Sequence, residues 1–197
     1  MLLYNSQVSG NCYKVRLLFA QLGIEYERRE VDVFDRSGRL QLLGDLNPAL
    51  RVPTLVLDDG RSLAESDAIL YYFAEGTDYL PEDRYERAQV LQWLFFEQYS
   101  HEPYIAVARF WFLAGISPEP EDFEEKLRGG KAALKAMDRH LTDREFLVAE
   151  RYTLADIALY AYTHVAPQGR FDLHPYPAVK EWLERVSARP GHIPIDT

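Results

Sequence analysis

The spacing of apolar residues changes character once along the chain, near residue 80. Before that point short apolar runs alternate with helical stripes. Residues 1–4 predict a strand. After the turn-forming Ser9-Gly10-Asn11, Val15, Leu18, Phe19 and Leu22 fall at i, i+3, i+4 and i+7, one face of a helix that Gly23 ends. Residues 26–33 alternate well enough for a second strand, and a polar helical stretch follows to Leu46. Residues 54–57 and 61–63 flank Asp58-Asp59-Gly60, a turn sequence that favours an antiparallel hairpin. A helix from about Glu65 carries Ala68, Ile69, Tyr72 and Phe73 on one face. The order is βαβαββα, a mixed α/β domain.

Residues 75–81 interrupt every periodicity and predict a linker. The expected domains are therefore 1–77 and 84–197, the second all-helical. There Leu91, Leu94, Phe95 and Tyr99 carry a stripe that Tyr104, Val107, Ala108 and Trp111 resume, which predicts one long helix kinked at Pro103. Leu127, Leu134, Met137 and Leu141 mark a helix over 120–141. Thr153 and Asp156 have the spacing of an N-terminal capping box, and Val179, Trp182, Leu183 and Val186 mark a last helix.

Charge narrows the partners. The chain has 197 residues with 22 Lys+Arg against 31 Asp+Glu, a net −9, which repels nucleic-acid phosphates and anionic membrane surfaces. No run approaches the roughly 18 apolar residues of a membrane span, and the first residues lack the pattern of a signal peptide. The single cysteine, Cys12, allows no internal disulfide, and a reducing compartment, the cytoplasm, is the expected location.

Phosphate loops, His-Glu-x-x-His, Cys-x-x-Cys and Gly-x-Ser-x-Gly are all absent, and the five histidines are scattered without ligand spacing, so no metal site is expected. Three segments of the first domain can carry chemistry. Ser9, in a strand-to-helix turn, fits either a helix cap or a hydroxyl beside a site that stabilises anions. Nearby Asn11 offers an amide donor, and Cys12, at the helix start, is either a small buried residue or a reactive thiol. Val52-Pro53 before a strand fits a simple strand-initiating proline, or a cis peptide that exposes the backbone N–H and C=O of Val52. Glu65-Ser66 at a helix start either caps it or receives a group bearing ammonium and carboxylate.

Taken together, Ser9-Gly10-Asn11-Cys12-Tyr13-Lys14-Val15, Asn47-Pro48-Ala49-Leu50-Arg51-Val52-Pro53-Thr54-Leu55, Glu65-Ser66-Asp67-Ala68-Ile69 and, in the helical half, residues 146–156 (FLVAERYTLAD) resemble the cytosolic glutathione transferases, of the bacterial, serine-using kind related to the theta and delta classes. The resemblance covers nearly the whole chain. It implies a thioredoxin-like N-terminal domain and an all-α C-terminal domain. It further implies glutathione as a substrate with no cofactor, a hydrophobic electrophile as second substrate, a homodimer, and a role in detoxification. By position, Glu65 and Ser66 would bind the γ-glutamyl end and Val52 would pair its backbone with the cysteinyl part ahead of a cis Pro53. Arg51 would take the glycyl carboxylate, because Leu50 stands where many relatives have a basic residue. Ser9 or Asn11 would hydrogen-bond the thiolate, and Tyr104 and Trp111 would contact the electrophile. Ala149 stands where the family's folding box often has glycine, and an ordinary backbone conformation is expected there. Two rival readings share the fold: a glutathione-binding regulatory or interaction protein, and a glutathione-dependent disulfide reductase or isomerase in which Cys12 would matter more.

Overall fold

The computed structural model describes residues 1–197, which form two compact units: Met1–Glu75 together with Pro190–Thr197, and Gly76–Arg189. The last eight residues, expected with the helical domain, return to the first unit.

In the first unit β1 (Leu2–Asn5) is central. It pairs in parallel with β2 (Glu27–Glu30) and antiparallel with β3 (Thr54–Val56), which pairs antiparallel with β4 (Ser62–Ala64), giving the order β2-β1-β3-β4. β2 is shorter than expected and wholly exposed. Its Glu-Arg-Arg-Glu sequence covers the free edge with charge, which discourages pairing with another chain. Alternation along β1 and β3 sends Leu3 and Leu55 to one face, against Val15 and Phe19 of α1 (Gly10–Leu22) and Ile69 of α3 (Ser66–Ala74). Leu2, Tyr4 and Val56 go to the other, with Leu42 and Leu43 of α2 (Arg39–Leu43). The buried stripe of α3 is Ser66, Ile69, Leu70 and Ala74; Ala68 and Tyr72 are exposed. The expected face is thus displaced by one residue, because the register that counts is the one that buries Ser66. α1 ends at Gly23, whose φ of 66° supplies the left-handed cap.

In the second unit α4 (Arg84–Phe96) and α5 (Glu102–Leu113) are joined by a π-helical turn, Glu97–His101. The distortion expected at Pro103 falls before it. Proline cannot donate to the carbonyl four residues back and its ring crowds that turn, so the helix widens and Glu102 N–H reaches Glu97 O instead. α6 (Pro120–Leu141) buries Leu134, Met137 and Leu141. α7 (Leu154–Thr163), in which every residue is buried, is the core of this unit, and α8 (Pro177–Ser187) adds Val179, Trp182 and Val186. Thr153 and Asp156 form the expected capping box at the start of α7. Preceding it, Val148 and Arg151 close a turn in which Ala149 and Glu150 have φ of 55° and 49°. The expectation of an ordinary conformation at Ala149 fails: the tight reversal needs positive φ at both central residues, whichever residues occupy them.

Candidate active site

Register brings the three segments together. Tyr4, Thr54 and Ala64 lie side by side across β1, β3 and β4. The next residues along each strand therefore leave the sheet at one edge: the turn to Ser9 after β1, Pro53 before β3 and Glu65 after β4.

Ser9 is the N-cap of α1. Its Oγ accepts from Cys12 N–H at 3.3 Å, and Ser9 N–H donates to Ser6 O at 3.1 Å. The cap uses an oxygen lone pair, so capping and donating the hydroxyl proton are compatible roles for a serine. Cys12 is fully buried and accepts from Ser6 N–H at 3.3 Å; burial pushes its thiol up to about 11. The thiolate is the reactive form of cysteine, and burial disfavours it at Cys12.

The Val52–Pro53 peptide is cis, with Pro53 buried and Val52 half-buried. Its loop is held by Asn47, a buried side chain that donates to Arg51 O and Thr54 Oγ1, both at 3.0 Å, and accepts from Ala49 N–H at 2.9 Å. Arg51 is exposed and, with Arg36 and Arg39, lines a groove of about 320 Å³ beside Ala49 and Leu50. Arg39 is fixed by carbonyls, donating to Asp32 O and Val33 O at 3.1 Å and to Leu50 O at 3.4 Å. Three arginines thus line one groove in a chain of net charge −9. The sequence reading named only Arg51.

Glu65 caps α3 with φ 66° and ψ 117°, an uncommon conformation for a residue with a side chain; its carboxylate is exposed and makes no cap bond. Ser66 is buried, and its Oγ donates to Asn11 Oδ1 at 3.2 Å while accepting from Lys14 Nζ at 3.3 Å. Lys14, fully buried, also pairs with Asp67 Oδ1 at 3.1 Å. The expected γ-glutamyl residue Ser66 and the expected thiol donor Asn11 thus share a hydrogen bond. Because Oδ1 of Asn11 faces Ser66, its Nδ2 donors face the other way. Lys14 and Arg16 are charges inside Cys12–Phe19, a stretch of α1 that the fold buries throughout.

Tyr104 and Trp111 lie one above the other on α5 in the second unit and are half-buried. Tyr104 packs on α6, where a Cβ at Gly129 would come within 2.2 Å of its ring, and Lys126 Nζ stands 5.5 Å from the ring centre. No group of three or more His, Cys, Asp or Glu able to hold a metal is present, and no helix is long and apolar enough to cross a membrane.

Residues 3–78 match the glutathione S-transferase N-terminal domain and residues 92–190 the glutathione S-transferase C-terminal domain. A glutathione S-transferase crystal structure from Pseudomonas fluorescens is 46% identical with a TM-score of 0.95, covering 98% of each chain. Among characterised proteins, the disulfide-bond oxidoreductase YfcG of Escherichia coli is 30% identical over 92% of this chain and 87% of its own length. Glutathione S-transferase 1 of Schizosaccharomyces pombe is 30% identical over 92% and 88%. With both domains matched and similarity extending across almost the whole length, the chain belongs to the glutathione S-transferase family.

Proposed function

We propose that this protein is a glutathione transferase that ionises the thiol of bound glutathione for attack on a hydrophobic electrophile. The convergence of the Ser9 turn, cis Pro53 and Glu65-Ser66 at one edge of the sheet carries the reading. Glu65 takes the γ-glutamyl ammonium, and Ser66 and the start of α3 take its carboxylate. Val52 pairs its backbone with the cysteinyl part. Arg51, with Arg36 and Arg39 beside it, takes the glycyl carboxylate.

Ser9, whose hydroxyl is no base at neutral pH, donates its proton to sulfur beside the positive end of α1. A thiol with pKa near 8.5 is only a few per cent thiolate at pH 7, and each unit of lowering is worth about 1.4 kcal/mol. The thiolate then forms the S–C bond directly, and the leaving group departs with its electron pair; no covalent enzyme intermediate is needed. Tyr104 and Trp111 supply aromatic surface for the electrophile, and two copies of the chain form the working dimer.

The deciding experiment is titration of bound glutathione by thiolate absorbance against pH, in the parent, Ser9→Ala and Asn11→Ala. A charge-assisted bond of roughly 1.5–3 kcal/mol predicts a rise of about one to two units in Ser9→Ala. A shift in Asn11→Ala alone passes the role to Asn11. Calorimetry on Glu65→Ala tests the binding half: loss of the γ-glutamyl contact, roughly 2–5 kcal/mol, weakens affinity by at least tenfold.

The similarity to a disulfide-bond oxidoreductase favours one second reading, in which two glutathione thiols reduce a disulfide substrate and leave as glutathione disulfide. With Cys12 buried, that chemistry runs on glutathione sulfur alone. Turnover of disulfides in preference to aryl halides selects it.

A further inference from the structure

Beyond the glutathione-contacting residues, the first unit contains a brace. The segment Pro190–Thr197 runs back along α1. Gly191, at φ 73°, lies against the far end of the helix, where a Cβ would sit 3.1 Å from Gln21 Cα. Midway, Tyr13 Oη donates to Ile193 O at 2.7 Å and contacts His192 Nε2 at 3.2 Å. At the near end Gln7 Nε2 donates to Ile195 O at 3.3 Å and Thr197 O at 2.8 Å.

Arg16 joins this segment to the turn that carries Ser9. Its guanidinium, 1% exposed, donates to Asn5 Oδ1 at 2.7 Å, Ser6 O at 3.4 Å and Gln7 O at 3.2 Å, and makes its shortest bond, 2.6 Å, to Ile195 O. Ser6 O is also the acceptor of Ser9 N–H. A buried cation needs its acceptors in place. If Ile195 O withdraws, water enters beside Arg16 and the turn carbonyls that hold the same group move with it. Displacements of an ångström in a catalytic group are costly in rate.

We propose that Pro190–Thr197, acting through Arg16, is a positioning element for Ser9: it sets the turn from which the serine hydroxyl reaches the glutathione sulfur. This rests on the function proposed above and assigns it a determinant far from the sulfur in sequence.

The test uses the full chain with Gly191→Val, which forces the segment off α1, and Tyr13→Phe, which removes one anchor and keeps the ring. Amide exchange without glutathione reads the turn directly: Ser9 and Cys12 N–H exchange faster in both variants. With glutathione, the thiolate titration moves up by about half to one unit and kcat falls about three- to tenfold at neutral pH, while KM for glutathione stays within about twofold. In a Ser9→Ala background Gly191→Val adds no further loss, as a structural defect alone would.

Unchanged exchange at Ser9 and Cys12 in both variants overturns the brace, as does an equal further loss in the Ser9→Ala background. A parent that binds glutathione without ionising it overturns the transferase reading instead, and the exchange result then stands on its own as the measure of the brace.

Discussion

Asp156 collects four donors around one buried carboxylate: Thr153 N–H at 2.8 Å, Thr153 Oγ1 at 3.3 Å, Leu147 N–H at 3.1 Å and Trp182 Nε1 at 2.9 Å. Asp156→Ala deprives these donors of their acceptor, and we expect a loss of about 3 kcal/mol or more in urea denaturation. Burial nonetheless pushes the carboxyl up to about 6 from an ordinary 3.8. Between those values the folded chain binds more protons than the unfolded one. This group's contribution is complete below about pH 4, falls as pH rises through about 6, and is flat above. The stability difference between the parent and Asp156→Asn should follow that curve. Glu65 is the opposite case, a residue held in an uncommon conformation whose carboxylate stays exposed. Glu65→Gly should therefore raise stability by about 1 kcal/mol while weakening glutathione affinity at least about tenfold, a trade seen by pairing denaturation with calorimetry. Cys12 should resist alkylation in the native protein and react only after unfolding, as mass spectrometry of iodoacetamide-treated protein would record.

Among the elements, those with strong periodicity were legible: α1 with its glycine cap, α6, α8, the capping box at Thr153 and Asp156, and the hairpin of β3 and β4. Local geometry decided the rest. The stripe of α3 was displaced by one position because alternation among Ala68, Ile69, Tyr72 and Phe73 fits two faces nearly equally, and only burial of Ser66 separates them. The π turn before Pro103 has the same apolar pattern as a kink at it. Ala149 gave no sign of its positive φ, because the turn imposes it from both sides. Ala149→Gly should stabilise the protein by about 0.5–1 kcal/mol, seen as a higher denaturation midpoint with unchanged slope. Gly130 in α6 behaves in reverse. Alanine there improves helix propensity, yet its Cβ would lie 2.3 Å from the ring of Phe171, itself 2% exposed. Gly130→Ala should thus destabilise by about 1–3 kcal/mol.

For the whole molecule, the motif segments and their order were enough to point to the family, and the sheet register explains why residues so separated share one edge. The buried charges that organise that edge, Lys14, Arg16 and Arg39, were not legible, since each lies in a stretch that reads as an ordinary amphipathic helix. The surface carries a further signal. Along α4 and the π turn, Tyr85, Ala88, Gln92, Phe95 and Tyr99 are all exposed at spacings of three and four, with Tyr85, Phe95 and Tyr99 at 71%, 69% and 84%. If a second copy covers this stripe, as the proposed dimer requires, light scattering at micromolar concentration should give twice 22.8 kDa, the apolar contact outweighing repulsion between chains of net charge −9. Phe95→Glu combined with Tyr99→Glu should return the monomer mass.

The return of Pro190–Thr197 also orders events in time. Gln7 and Ile195 are 188 positions apart, so the pairing that covers Arg16 closes only after the entire helical unit has been synthesised. Up to that moment the nascent first unit keeps a solvated guanidinium beside the Ser9 turn. On the positioning role proposed above, a ribosome-bound chain halted before residue 190 should carry the sheet without the brace on the Ser9 turn.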